Sequence, residues 1–186
     1  MILHIKHLFL LEIAQMAELV DALVSNTNEE TRAGSTPALG TTLILQKLTK
    51  QEKYDHAYLK MAKEWAKLSH CHRKKVGALI VKDNMIISDG YNGTPSGFPN
   101  KCEDEKGNTK WYVLHAEANA ILKTAKSTHS CHGSTLYLTM SPCKDCSKLI
   151  HQSGIIRVVY IDNYKDNEGI KFLKKAGIEI IQYKSL

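Results

Sequence analysis

Beyond residue 50 the apolar positions fall into two rhythms, one of three to four residues and one of two. Tyr54, Tyr58, Met61, Ala62, Trp65 and Leu68 recur at three- and four-residue steps, which predicts an amphipathic helix ending near Ser69. Val76 to Val81 and Met85 to Ser88 are short apolar runs separated by the polar Lys82-Asp83-Asn84, the pattern of a hairpin. A loop rich in Gly, Pro and Asn runs from Gly90 to about Lys110. The second half alternates. A helix is predicted over 116–125, a strand over 134–140 and a helix over 143–151 that stops at Gly154. A strand over 157–161, a helix over 170–176 stopped by Gly177 and a strand over 178–183 complete the series. Alternation of this kind argues for parallel strands joined by right-handed crossovers. The expected fold is α/β: a three-layer α-β-α sandwich around a five-stranded mixed sheet, with the active site where helix N-termini meet strand ends.

Residues 1–48 follow neither rhythm. Ile2 to Val24 has helical character, but Ser25-Asn26-Thr27-Asn28 and Arg32-Ala33-Gly34-Ser35-Thr36-Pro37 are loop-like. Met16 to Val24 with Ala33 to Pro37 after it resembles a conceptually translated transfer-RNA gene. These residues are therefore expected to be a non-native or disordered extension, with initiation near Leu48, and residues 49–186 to be the working domain. Composition adds two exclusions. The longest apolar stretch, from Leu8, is broken by Glu12, Glu18 and Asp21 before the roughly 20 residues a bilayer needs, and Glu12 also spoils a signal peptide. Of the net charge of +6, residues 50–186 carry 22 basic against 14 acidic side chains, a net of +8. That balance suits an anionic small molecule. The basic residues are scattered, without the dense aromatic-laced stripe of a nucleic-acid binder, so neither a nucleic-acid nor a membrane partner is expected. Five cysteines, two of them in a C-x-x-C, point to metal more than disulfides and to the cytoplasm.

The chemistry concentrates in His115-Ala116-Glu117 and Pro142-Cys143-Lys144-Asp145-Cys146. One imidazole and two thiols are three zinc ligands, which leaves a fourth tetrahedral position for water. Cys143 and Cys146, three apart at the opening of a helix, share one face. The positive end of that helix favours thiolate over thiol. Glu117, two residues beyond the histidine, is placed to move protons rather than to bind the ion. A structural zinc normally has four protein ligands, which argues against a purely structural site here.

H-x-E followed by P-C-x-x-C is the known mark of zinc-dependent nucleobase deaminases. With Val76-Gly77-Ala78, Gly90-Tyr91-Asn92-Gly93, His115 to Ile121 and Ser141 to Cys146, residues 50–186 resemble the deoxycytidylate deaminases of the cytidine-deaminase-like superfamily. Nucleoside cytidine deaminases usually carry cysteine where His115 stands, and transfer-RNA adenosine deaminases usually have glutamate where Ser141 stands. The resemblance implies hydrolysis of dCMP to dUMP and ammonia, with Zn2+ at the catalytic centre. Asn92 would contact the deoxyribose, the backbone at Ala116 and Ser141 the base edge, and Tyr164 with Lys165 the phosphate. It further implies a homo-oligomer, often a hexamer, with dCTP and dTTP plus Mg2+ acting through the loop Gly90, Tyr91, Asn92 and Gly93. Some relatives bind a second zinc through cysteines matching Cys71 and Cys102; here Lys110 to Leu114 supplies none of the further ligands, so a complete second site is not expected. Two other readings stand beside this one: a deaminase acting on a base in RNA, and a non-catalytic zinc protein of the same fold.

Overall fold

The computed structural model describes residues 48–184, all within the unit Gln46–Leu186, so the reading of the N-terminal extension lies outside the described residues apart from Leu48. Helix α1 (Lys50–Lys67) opens on a reciprocal cap: Thr49 Oγ1 accepts from Glu52 N at 3.2 Å while Glu52 Oε2 accepts from Thr49 N at 2.7 Å. Strands β1 (Gly77–Lys82) and β2 (Met85–Tyr91) form the expected hairpin. Asp83 and Asn84 turn the chain with φ of 50° and 60°, the left-handed pair that a two-residue turn requires. Then come α2 (Ala116–Ala125), β3 (Thr135–Met140), α3 (Lys144–Gln152), β4 (Arg157–Asp162), α4 (Glu168–Lys175) and β5 (Glu179–Gln182).

The strands make one five-stranded sheet in the order β2-β1-β3-β4-β5. β1 is antiparallel to both of its neighbours, and β3, β4 and β5 are parallel. β2 therefore runs in the same direction as β3, β4 and β5. The period-two burial of the strands separates two cores. Ala78, Ile80, Leu136, Leu138, Val158 and Tyr160 face α2, α3 and α4. Leu79, Val81, Tyr137, Val159 and Ile161 face α1. One helix below and three above give the three layers, the mixed-sheet sandwich expected from the sequence.

The face that α1 buries differs from the apolar stripe. Leu68 is exposed, whereas Asp55 is fully buried with Tyr58, Leu59, Ala62 and Ala66. Arg157 grips both Asp55 oxygens at 2.8 and 2.6 Å, and the hydroxyls of Tyr137 and Tyr183 donate at 2.8 and 3.2 Å. Burial pushes the Asp55 carboxyl up, but hydrogen bonds from Arg157, Gln51 and Tyr137 outweigh it and hold it below its ordinary value. The carboxylate fastens α1 to β3, β4 and the C-terminal segment. Among the described residues no helix is long and apolar enough to cross a membrane.

Candidate metal centre and active site

His115 is the N-cap of α2 and Cys143 the N-cap of α3; Glu117 and Cys146 lie in the first turns of the same helices. Both helices begin at the edge of the sheet where β2 and β3 end, and this brings their first turns together. His115 Nδ1 lies 3.5 Å from Cys143 Sγ and 3.4 Å from Cys146 Sγ. These are the donors of the sole metal-holding group among the described residues, all within 4.8 Å of one another. Tetrahedral zinc, with bonds of about 2.3 Å to sulfur and 2.0–2.1 Å to nitrogen, demands an N···S separation of about 3.6 Å. The donor set fits the ion in both type and spacing.

The electrostatics follow from burial and proximity. The hydrogen bond with Cys146 is the leading cause that lowers the Cys143 thiol to about 4, and the same bond pushes the Cys146 thiol up. A divalent cation held by both sulfurs needs both as thiolates, so its binding releases protons. The His115 ring is raised above its ordinary value, chiefly by its bond to Cys143. Glu117 is 4% exposed, and burial pushes its carboxyl up to about 7.

The Gly90–Gly93 loop is joined to this centre through the backbone. Gly93 N donates to Leu114 O at 3.0 Å and Leu114 N to Gly93 O at 2.9 Å, one residue before His115. Asn119 Nδ2 donates to Tyr91 O at 2.7 Å. Gly90 sits so close to α2 that an added Cβ would lie 2.2 Å from Ala116 O. Asn92 is gripped at both ends of its amide: Oδ1 accepts from Val76 N at 2.8 Å and Nδ2 donates to Lys74 O at 2.8 Å. On the other side, Ser141 and Tyr164 line a cleft of about 560 Å³ with Lys165, Asn163 and Asn167. Asn92 is not among its lining residues. Ala116 is fully buried and Ser141 is 4% exposed.

Cys71 and Cys102 are brought together, but as a disulfide. Sulfurs bonded to each other have no thiolate to give a metal, so the reading of this pair as part of a second metal site is corrected. The reading of the C-x-x-C pair as metal ligands agrees with the His115, Cys143 and Cys146 group, and Cys71 with Cys102 are the exception to the preference for metal over disulfides. Cys131 is buried, as expected of a small apolar side chain.

Residues 52–162 match the family model described as the cytidine and deoxycytidylate deaminase zinc-binding region. The chain belongs to that family. Among solved structures it is similar to the dCMP deaminase of the cyanophage S-TIM5, crystallised in complex with dCMP and dUMP, at 46% identity and a TM-score of 0.69, over 74% of this chain and 100% of that one. The deoxycytidylate deaminase of Enterobacteria phage T4 is 36% identical over 155 residues, 60% of this chain and 80% of the relative. The Saccharomyces cerevisiae deoxycytidylate deaminase is 36% identical over 140 residues, 70% of this chain; the chain spans under half, 45%, of that relative's length. The cytidine-deaminase-like sheet and the zinc-binding region therefore agree, and the matched stretch contains every residue of the metal group.

Several features of this deaminase site carried no usable signal in the sequence. The backbone of Lys74 and Val76, just before β1, holds the Asn92 amide. The Ser141 hydroxyl accepts from Tyr164 N at 2.7 Å. Gly169, in the first turn of α4, has Pro142 O 2.3 Å from where its Cβ would be. A serine and a glycine at such places look the same whether or not a neighbour leans on them.

Proposed function

We propose that this protein is a zinc-dependent deaminase that hydrolyses dCMP to dUMP with release of ammonia. The observation that carries the reading is the three-donor group of His115, Cys143 and Cys146 with the buried carboxyl of Glu117 in the same helical turn as the histidine. Two thiolates and one imidazole hold the ion and leave a position for water. Zinc bound there supplies Lewis acidity, lowering the pKa of a water molecule from 15.7 to about 7. Glu117 would take one proton from the attacking water and deliver it to the ring nitrogen next to the reacting carbon, then carry the second proton of that water to the departing amine, which leaves as ammonia. Its burial and raised pKa suit a group that must both accept and give up a proton near neutral pH.

The substrate roles follow the same reading. The backbone at Ala116 and Ser141 holds the edge of the base. Asn92, its amide already fixed by Lys74 and Val76, offers its second N–H to the deoxyribose. Tyr164 and Lys165, on the cleft beside Ser141, take the phosphate end. Residues 49–186 form the deaminase domain and residues 1–48 lie outside it, which agrees with a family match confined to 52–162. A cytoplasmic homo-oligomer, a hexamer by resemblance, with dCTP and dTTP plus Mg2+ acting at Gly90, Tyr91, Asn92 and Gly93, completes the proposal.

The test is ammonia release from dCMP, deoxycytidine and a hairpin RNA, with zinc measured per chain. Turnover of dCMP is expected, and Glu117→Gln should keep zinc while losing about 10² to 10⁴ in kcat. Ammonia from RNA alone would select an RNA deaminase instead. A Gln variant with normal zinc and normal turnover would overturn the role of Glu117.

A further inference from the structure

The β3–α3 turn and the β4–α4 loop meet at one buried side chain. Ser141, the last residue but one before Cys143, is 4% exposed and makes two bonds to the neighbouring strand end. Its N–H donates to Asp162 O at 2.8 Å, and its Oγ accepts from Tyr164 N at 2.7 Å. The second bond is the informative one. Residues 163–168 are otherwise exposed, Tyr164 alone being half-buried, and they form the wall of the cleft that Ser141 also lines. Lys165 Nζ lies over the Tyr164 ring, 5.6 Å from its centroid, so the two side chains share one part of that loop.

We infer that Ser141 is a positioning residue: its hydroxyl pins the β4–α4 loop and thereby sets Tyr164 and Lys165 for the substrate. This rests on the deaminase reading above and adds to it a side-chain role for Ser141, whose backbone alone was assigned to the base. The serine is well suited to the task. A hydroxyl on a short side chain reaches an N–H two residues past the end of the adjacent strand, and its own backbone leads straight to the metal ligands. One residue thus holds the base end and the far end of the substrate in a fixed relation. The loop contributes to binding and takes no part in proton transfer, so the effect belongs in KM and not in kcat.

The experiment compares Ser141→Ala, Tyr164→Ala/Lys165→Ala and the triple variant by steady-state kinetics on dCMP, with zinc content and thermal unfolding measured on each. Ser141→Ala is expected to raise KM about tenfold, the size of one lost hydrogen bond, with kcat within about twofold and zinc unchanged. In the Tyr164→Ala/Lys165→Ala background the same substitution should add little to KM, because the pinned N–H remains but both side chains it positions are gone. Where the alanine variant does not fold, Ser141→Cys, nearly isosteric and a weak acceptor, is expected to give the same KM shift. Amide exchange at Tyr164, which needs no substrate, should accelerate in the Ser141 variants. Unchanged KM with unchanged exchange, fully additive effects, or a joint loss of zinc and kcat would overturn the inference. A wild-type protein inactive on dCMP but with faster Tyr164 exchange in Ser141→Ala would refute the substrate reading and leave the pinning intact.

Discussion

Gly169→Ala tests how closely the metal loop depends on a helix that supplies no ligand. A Cβ at this position would stand 2.3 Å from Pro142 O, 2.5 Å from Ser147 Oγ and 2.9 Å from the carbonyl carbon of Cys143. Ordinary contact begins near 3.4 Å, so α4 and the Pro142–Cys143 segment must part by about 1 Å. Two of the three obstructing atoms are backbone, so no side-chain rotation relieves the clash. Overpacking of this kind costs about 1–3 kcal/mol. Metal–ligand distances tolerate only about 0.2 Å, so a displacement shared between α4 and Cys143 still exceeds what the site absorbs. Zinc affinity should fall about ten- to a hundredfold, the usual effect of disturbing what orients a ligand. The assay is zinc competition against a chelator of known affinity, together with thermal unfolding with and without zinc. Gly177→Ala is the control: its φ of 79° strains an alanine, but nothing lies within 4 Å of the new methyl. That variant should lose about 1 kcal/mol of stability and keep its zinc affinity. Wild-type zinc affinity in Gly169→Ala, with a melting loss no larger than that of Gly177→Ala, would refute the reasoning.

Gly90→Ala should act likewise on the other helix, since its Cβ would meet Ala116 O at 2.2 Å and Ala120 N at 2.7 Å; a loss of zinc or of kcat beyond the loss of stability is the expected reading. Asp55→Asn leaves Arg157, a side chain only 11% exposed, with the more exposed Glu179 carboxylate 3.2 Å from its Nε as its remaining ion pair, and should cost about 1.5–3 kcal/mol, the size of a hydrogen bond to a charged group, in urea unfolding at neutral pH. The Asp55 carboxyl is held below its ordinary value in the fold, so its stabilising contribution is present above the unfolded pKa and is lost as pH falls through the folded one. The gap between wild type and Asp55→Asn should therefore narrow below about pH 4. Thiol titration of the denatured, unreduced, metal-free protein should find three free cysteines, with Cys71 and Cys102 appearing only after a dithiol is added; five thiols and two zinc ions per chain would restore the second metal site.

What could be read from the sequence was what chemistry or periodicity fixes locally. The ligand types and the C-x-x-C spacing are conditions on residues a few positions apart, and His115, Cys143 and Cys146 met as those conditions require. The hairpin strands showed themselves as short apolar runs on either side of a polar turn. Long-range pairings left no such mark. Asp55 is the one buried charge on its helix, and only the approach of Arg157, 102 positions later, makes it a core residue. Leu68 fits the apolar step of α1 and is nonetheless exposed, because the helix turns Leu59, Ala62 and Ala66 to the sheet instead. The Cys71–Cys102 bond joins residues 31 positions apart across the β1–β2 hairpin, which no spacing rule anticipates.

The deeper reason the site assembles is directional. β1 is antiparallel to both β2 and β3, so β2, β3 and β4 point the same way and the loops leaving them emerge on one edge. Those loops lead into α2, α3 and α4, and three helix N-termini are thereby gathered at one place. Each brings uncompensated N–H groups and the positive end of a helix dipole. The first carries His115 and Glu117, the second Cys143 and Cys146, and the third abuts the second through Gly169 while its preceding loop is pinned by Ser141. The thiolates and an anionic nucleotide are thus met by the same field. The hairpin reversal at Asp83-Asn84 is what makes this possible: with β2 running the other way, α2 would start from the opposite edge and His115 would never reach the sulfurs.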